Sequence, residues 1–130
     1  LEDPIFMESD PEQVKQVLWN ILRNAREAMP EGGTIHIETR LEGGTDRRDD
    51  PHPMAELIVR DTGTGFGEAA LEALFTPFYT TKEEGSGLGL ATVKRIMEGL
   101  RGRVRGRNHP GGGAEITLHL PLAKPNAEAP

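Results

Sequence analysis

The chain holds 130 residues, enough for one domain with a substantial core. Its 15 basic and 21 acidic residues leave a net charge of −6, which argues against a general nucleic-acid or anionic-membrane binder. It contains no cysteine, so disulfides, thiolate catalysis and zinc–thiolate sites are excluded, and it shows neither a long apolar run nor a signal-peptide pattern.

The chain begins at Leu1 rather than Met and reads as an excised piece of a longer protein. Asp10 is a good N-cap and Pro11 suits the first helical position, so a helix is predicted over 11–29. Val14, Val17, Leu18, Ile21, Leu22, Ala25 and Ala28 follow the 3.6-residue period and share its buried face. Pro30 and Gly32-Gly33 stop it, and Thr34 to Arg40 then alternates as a half-buried strand. Residues 41–53 are charged and rich in Gly and Pro, a surface loop. Ala55 to Arg60 reads as a central strand ending at Asp61, and Gly67 to Phe75 as a short helix. Gly87 to Gly99 reads as a second long helix, and Gly102–Arg107 and Ala114–Leu120 as two strands. His109-Pro110-Gly111-Gly112-Gly113 makes the hairpin loop between them, and 123–130 is a tail. This order suggests helices layered on one face of a mixed sheet.

Three clusters carry candidate chemistry. Asn20 and Asn24 lie one helical turn apart, on the flank of the apolar stripe. Taken alone they read as boundary amides bonded to local backbone. An Asn carbonyl oxygen is equally a hard neutral ligand for Mg²⁺. Asp61-Thr62-Gly63-Thr64-Gly65 alone reads as a turn, in which Asp bonds its own backbone. The same geometry lets backbone approach a flat ligand, while a fixed carboxylate accepts a hydrogen bond from an exocyclic amino group such as that of adenine. Gly85, Gly87 and Gly89 precede a helix, whose exposed N–H groups and dipole suit phosphate oxygens; the bland reading is a flexible connector. There is no Gly-Lys pair for a P-loop, and the glycine spacing does not fit a dinucleotide fingerprint. Between the clusters, Phe75 to Lys82 has the makings of a lid, with Lys82 as a point charge for phosphate or as a solvated loop lysine. Arg101, Arg103, Arg105 and Arg107 alternate and are expected on one face of a strand, as a solvated surface or a docking face for an acidic partner.

Together these residues resemble the catalytic and ATP-binding domain of sensor histidine kinases, in the Bergerat-fold group. Trp19 to Ala28 looks like the N box, Asp61 to Gly65 the G1 box, Phe75 to Phe78 the F box and Gly85 to Leu90 the G2 box. Gly111-Gly112-Gly113 and the strand ending Leu120-Pro121 resemble the terminal glycine motif, and Pro77 to Lys82 resembles the nitrogen-regulation sensor type. The resemblance covers about Pro11 to Pro121 and implies an α+β, two-layer α/β sandwich. Its sheet would be mixed and mostly antiparallel, with helices on one face and a mobile ATP lid over 76–86. The catalytic domain would span 1–122 and the tail 123–130.

The resemblance also implies ATP or ADP and Mg²⁺ as ligands. Nucleotide contacts would fall to Asn24, Asp61, Gly63, Gly65, Phe78, Thr81, Lys82, Gly85, Gly87, Leu88 and Gly89. Asn20, Asn24 and Lys82 would serve catalysis, with Asn24 on Mg²⁺ and Asn20 in support. Two departures stand out. Glu27 occupies a position where some family members carry a lysine, so the phosphate contact passes to Lys82, Arg26 or another base. Ala114 replaces a hydroxyl that many relatives place near adenine. The phosphoacceptor would be a histidine on a separate dimerisation domain, and the phosphoryl would pass on to a response regulator receiver domain. None of His36, His52, His109 and His119 lies on a predicted helix beside an acidic residue, so the fragment is expected not to phosphorylate itself. Asn20 stands where hydrolytic relatives carry a glutamate, which favours a kinase over an ATPase. A serine kinase of the anti-sigma type and an ATP-binding sensor are the alternatives. The fragment is expected to be a cytoplasmic monomer, and the full protein a homodimer that is either soluble or membrane-anchored.

Overall fold

A computed structural model gives the fold and describes residues 10–41, 54–67, 75 and 89–122. Helix α1 (Pro11–Glu27) opens as its sequence predicts, with the Asp10 carboxylate accepting from the Glu12 N–H at 3.0 Å. It closes two residues before the predicted end. The Met29 N–H reaches back only three residues, to the Arg26 carbonyl at 3.0 Å, and this tightened turn cannot propagate.

Four strands follow: β1 (Ile35–Leu41), β2 (Met54–Asp61), β3 (Arg103–Asn108) and β4 (Ala114–Pro121). They form one sheet in the order β1-β2-β4-β3, antiparallel at every pairing. Helix α2 (Gly89–Gly99) lies between β2 and β3 in sequence. The register sets Ile35 and Ile37, Leu57 and Val59, Ile116 and Leu118, and Val104 on one face. Val17 and Ile21 of α1 and Val93, Ile96 and Met97 of α2 pack there with Val59, Ile116 and Leu118 as the core. Both helices therefore sit on one side of the sheet, and β2 is central, as predicted.

Strand β1 departs from the half-buried pattern expected of it. Its five interior residues are all exposed, Ile37 at 55 % included. The strand is an edge, and the helices sit over β2, β4 and β3 instead. A two-residue period reports alternation but not whether a helix covers the strand. The opposite face of the sheet carries charge. Arg40 donates to Glu56 at 2.6 Å, a bond that raises the already high pKa of the guanidinium, and Arg107 pairs with Glu115.

The arginine row also needs correction. Arg103, Arg105 and Arg107 lie on β3 as expected, but Arg101 does not. It is the residue past the end of α2, with φ +62°, and the Gly102 N–H reaches the Met97 carbonyl at 2.8 Å while the Arg101 N–H reaches Glu98 at 3.0 Å. This is a Schellman closure with Arg where Gly usually sits. Arg101→Gly is therefore expected to stabilise the chain by about 0.5–1 kcal/mol, read as a rise in denaturant midpoint at unchanged slope.

Candidate functional site

The site is built around the end of β2. Asp61 is its last residue, 4 % exposed, on the helix-facing side of the sheet. Its Oδ1 accepts two backbone N–H groups, Gly63 at 2.8 Å and Ala114 at 3.1 Å. Asp61 is thus both the cap of its own turn and the tie to the start of β4. Both bonds fall on one oxygen, and among the described residues Oδ2 makes no hydrogen bond. A carboxylate held this way has a fixed plane and presents an acceptor at its second oxygen. The contact with β4 runs through the Ala114 backbone amide, not its side chain.

Two neighbours shape the turn. Gly63 sits directly against the Ala28 carbonyl at the end of α1, where a Cβ would collide with backbone. Thr62 accepts from the Thr34 N–H at 3.1 Å and donates to the Met29 sulfur at 3.4 Å, pinning the α1–β1 connection to the turn.

Helix α1 runs away from this point. Asn24 and Asn20 lie one and two turns back from Ala28, so Asn20 is roughly 12 Å along the axis. Asn20 is buried at 8 % exposure. Its Nδ2 donates to the Gly89 carbonyl at 3.3 Å, and its Oδ1 accepts from Arg23 at 3.4 Å. The sequence suggested a metal-side amide at Asn20, and the structure shows an amide that ties α1 to the first residue of α2. Asn24 is half-buried on the same flank. The first two clusters, and Gly89 of the third, thus lie along one helix: Asp61, Gly63 and Gly65 at its C-terminal end, Asn24 next, and Asn20 with Gly89 beyond. Phe78, Thr81, Lys82, Gly85, Gly87 and Leu88, with the expected lid and the short helix after Gly67, lie outside the described residues.

The histidines stand where the sequence placed them: His36 on β1, His119 on β4 and His109 in the hairpin, with His52 outside the described residues. His109 Nε2 lies 2.9 Å from the Arg60 guanidinium and its Nδ1 lies 3.0 Å from the Gly111 N–H. Arginine only donates, so that bond requires the proton on Nδ1, and the ring accepts from Arg60 or from Gly111 but not from both. Among the described residues, no group of three or more His, Asp or Glu is arranged to hold a metal, and no helix is long and apolar enough to cross a membrane.

The family model described as histidine kinase-, DNA gyrase B- and HSP90-like ATPase matches residues 9–124. The chain belongs to that family. Within it, the sensor histidine kinase ZraS of Salmonella typhimurium is 40 % identical over 116 residues, covering 89 % of this chain and 23 % of ZraS. The chain thus spans about a quarter of that relative's length. The catalytic domain of histidine kinase ThkA superposes with a TM-score of 0.72 at 32 % identity, over 88 % of this chain and 70 % of that one. Full-length ShkA in complex with AMPPNP superposes with a TM-score of 0.75 at 28 % identity, over 95 % of this chain and 24 % of that one. These matches agree with the sandwich fold and with an ATP-binding catalytic domain of the histidine kinase kind.

Proposed function

We propose that the chain binds ATP along α1 and passes its γ-phosphoryl group to a histidine on a separate dimerisation domain, for relay to a response regulator receiver domain. The observation that carries the reading is Asp61: a buried carboxylate with one oxygen spent on two backbone donors and the other without a hydrogen bond among the described residues. That is the arrangement for recognising an exocyclic amino group, and it puts the base at the C-terminal end of α1. The phosphates then extend toward Asn24, Asn20 and the start of α2, where helix N-terminal N–H groups suit an anion.

Asn24 offers a neutral carbonyl oxygen on the flank between the two ends, which fits Mg²⁺. Bound there, Mg²⁺ would neutralise phosphate charge during transfer. Asn20 supports this end by holding α2 in place. Lys82, with Phe78, Thr81, Gly85, Gly87 and Leu88, belongs to the proposed nucleotide contacts on the family resemblance. Asn20 has no lone pair basic enough to activate water, and its amide is engaged on both sides, so hydrolysis lacks a general base there. An imidazole is already a nucleophile and needs only positioning.

The partner domain would make the full protein a homodimer, and the use of ATP places this domain in the cytoplasm. The test is labelled ATP with this chain, with and without a histidine-bearing dimerisation domain. Label is expected on the added domain only, with slow phosphate release. Rapid release by the chain alone would make it an ATPase, and binding with neither outcome would make it a sensor. Asn24→Ala is expected to lower transfer by about 100-fold or more and to remove the Mg²⁺ dependence of ATP binding. Undiminished transfer by that variant would reassign the metal.

A further inference from the structure

We infer that Asn108 is a positioning residue for nucleotide binding: it holds the far end of the Asp61 turn in the shape that receives the base. The inference rests on the reading of Asp61 as the base-recognising carboxylate. The turn leaves β2 at Asp61 and passes through Gly63 and Gly65 to Phe66. Its near end is fixed by Asp61 itself, through the Gly63 N–H. Its far end is fixed by Asn108, the last residue of β3. The Phe66 N–H donates to Asn108 Oδ1 at 2.7 Å, and Asn108 Nδ2 donates to the Phe66 carbonyl at 2.8 Å. This reproduces with one side chain the paired bonds that a neighbouring strand would supply. Only one orientation of the amide satisfies both, because the N–H can only donate and the carbonyl only accept.

The clip is tight as well as bonded. Gly65 has φ +75°, and a Cβ there would meet Asn108 Oδ1 at 2.7 Å, so the amide lies flat against the turn. Asn108 also pairs in register with Ala114, whose N–H goes to Asp61 Oδ1. The two fixed points of the turn are therefore bolted to the same hairpin, and Gly63 and Gly65 are held between them.

Asn108 is exposed, as are both of its bonds to Phe66. Removing it leaves Phe66's backbone groups to water, so the fold loses little. The turn, however, would then have to be ordered when nucleotide binds, and that entropy is subtracted from affinity. Asn108 touches no reacting atom in this account, so the effect belongs on KM rather than on kcat.

The experiment measures MgADP and MgATP affinity of this chain for wild type, Asn108→Ala, Asn108→Ser and Asp61→Asn, with a melting curve for each. Kinetic constants for transfer to a supplied histidine domain accompany them. Asn108→Ala and Asn108→Ser are expected to bind both nucleotides about 10-fold more weakly, at a melting temperature within a few degrees of wild type. KM for MgATP should rise by the same factor, with kcat at saturation within about twofold. Serine is too short to span both groups of Phe66, so it carries the test if the alanine variant folds poorly. Wild-type affinity in both Asn108 variants, with Asp61→Asn still defective, overturns the positioning role and leaves the site standing. A loss of affinity matched by a fall in melting temperature, or a fall in kcat at unchanged KM, overturns it too. Wild-type affinity in Asp61→Asn removes the underlying reading instead.

Discussion

Asp61→Asn is expected to leave the chain folded and to cost on the order of 100-fold or more in adenine-nucleotide affinity, measured by calorimetry with MgADP. The separation follows from how the two carboxylate oxygens are used. Oδ1 holds the Gly63 and Ala114 N–H groups. An asparagine keeps a carbonyl oxygen for those donors, though without the charge that strengthens them, so the turn and its tie to β4 persist with a modest loss. At the other position it replaces an acceptor with an NH₂ donor. An exocyclic amino group then meets a donor, and neither group finds a partner inside a site that excludes water. That mismatch costs more than a missing bond because both sides stay desolvated. Asp61→Ala tests the other half. It removes the acceptor for both backbone groups, and is expected to lower stability by about 1–3 kcal/mol as well as binding. Equal stability loss in the two variants would refute this division of labour.

The contrast explains what could be read from the sequence. The frame was legible wherever side-chain identity dictates it. The period of α1 gave its buried face, Asp10-Pro11 its start, and the pattern in 114–120 a strand, which the structure shows as β4, buried on both faces over most of its length rather than alternating. Asp61 alone read as a turn residue, and the structure does show it capping its own turn through the Gly63 N–H; only its order with the asparagine pair and the later glycines pointed to a site. What escaped depends on backbone partners at long sequence separation. The Ala114 N–H, the Phe66 pair held by Asn108 and the Thr34 N–H taken by Thr62 leave no mark in residue type, since every residue but proline carries the same amide. Arg101 misled for the opposite reason. Its spacing matches the strand that follows, but the last carbonyls of α2 needed a left-handed residue, and helix closure outweighed the two-residue rhythm. The position of Asn20 on the flank of α1 was visible in the sequence, but its bond to the Gly89 carbonyl, 69 residues away, was not.

The glycine triplet of the hairpin offers a graded test of the same point, because three identical residues do three different things. The Gly112 N–H closes the turn onto the His109 carbonyl at 2.9 Å, with φ +105° and open space where a Cβ would point. Alanine there meets only the left-handed strain, about 1–2 kcal/mol. Gly111 has no such strain, and a Cβ would meet only the movable His109 ring, at 3.2 Å. Gly113 is buried at φ +85°, and a Cβ would fall on the Asp61 carbonyl oxygen and within 3.1 Å of Thr62 Cα. Neither of those is a side chain that can rotate away. Gly113→Ala therefore adds a backbone collision to the strain, and the expected loss is about 2–5 kcal/mol. Relief can come only by moving β4 off the end of β2, which pulls the Ala114 N–H from Asp61. Melting curves should rank the variants Gly113→Ala worst, then Gly112→Ala, with Gly111→Ala near wild type. Nucleotide affinity, measured well below each midpoint, should fall steeply for Gly113→Ala alone. If Gly112→Ala weakened binding as much, turn conformation rather than the packing of the hairpin on Asp61 would be what the site requires.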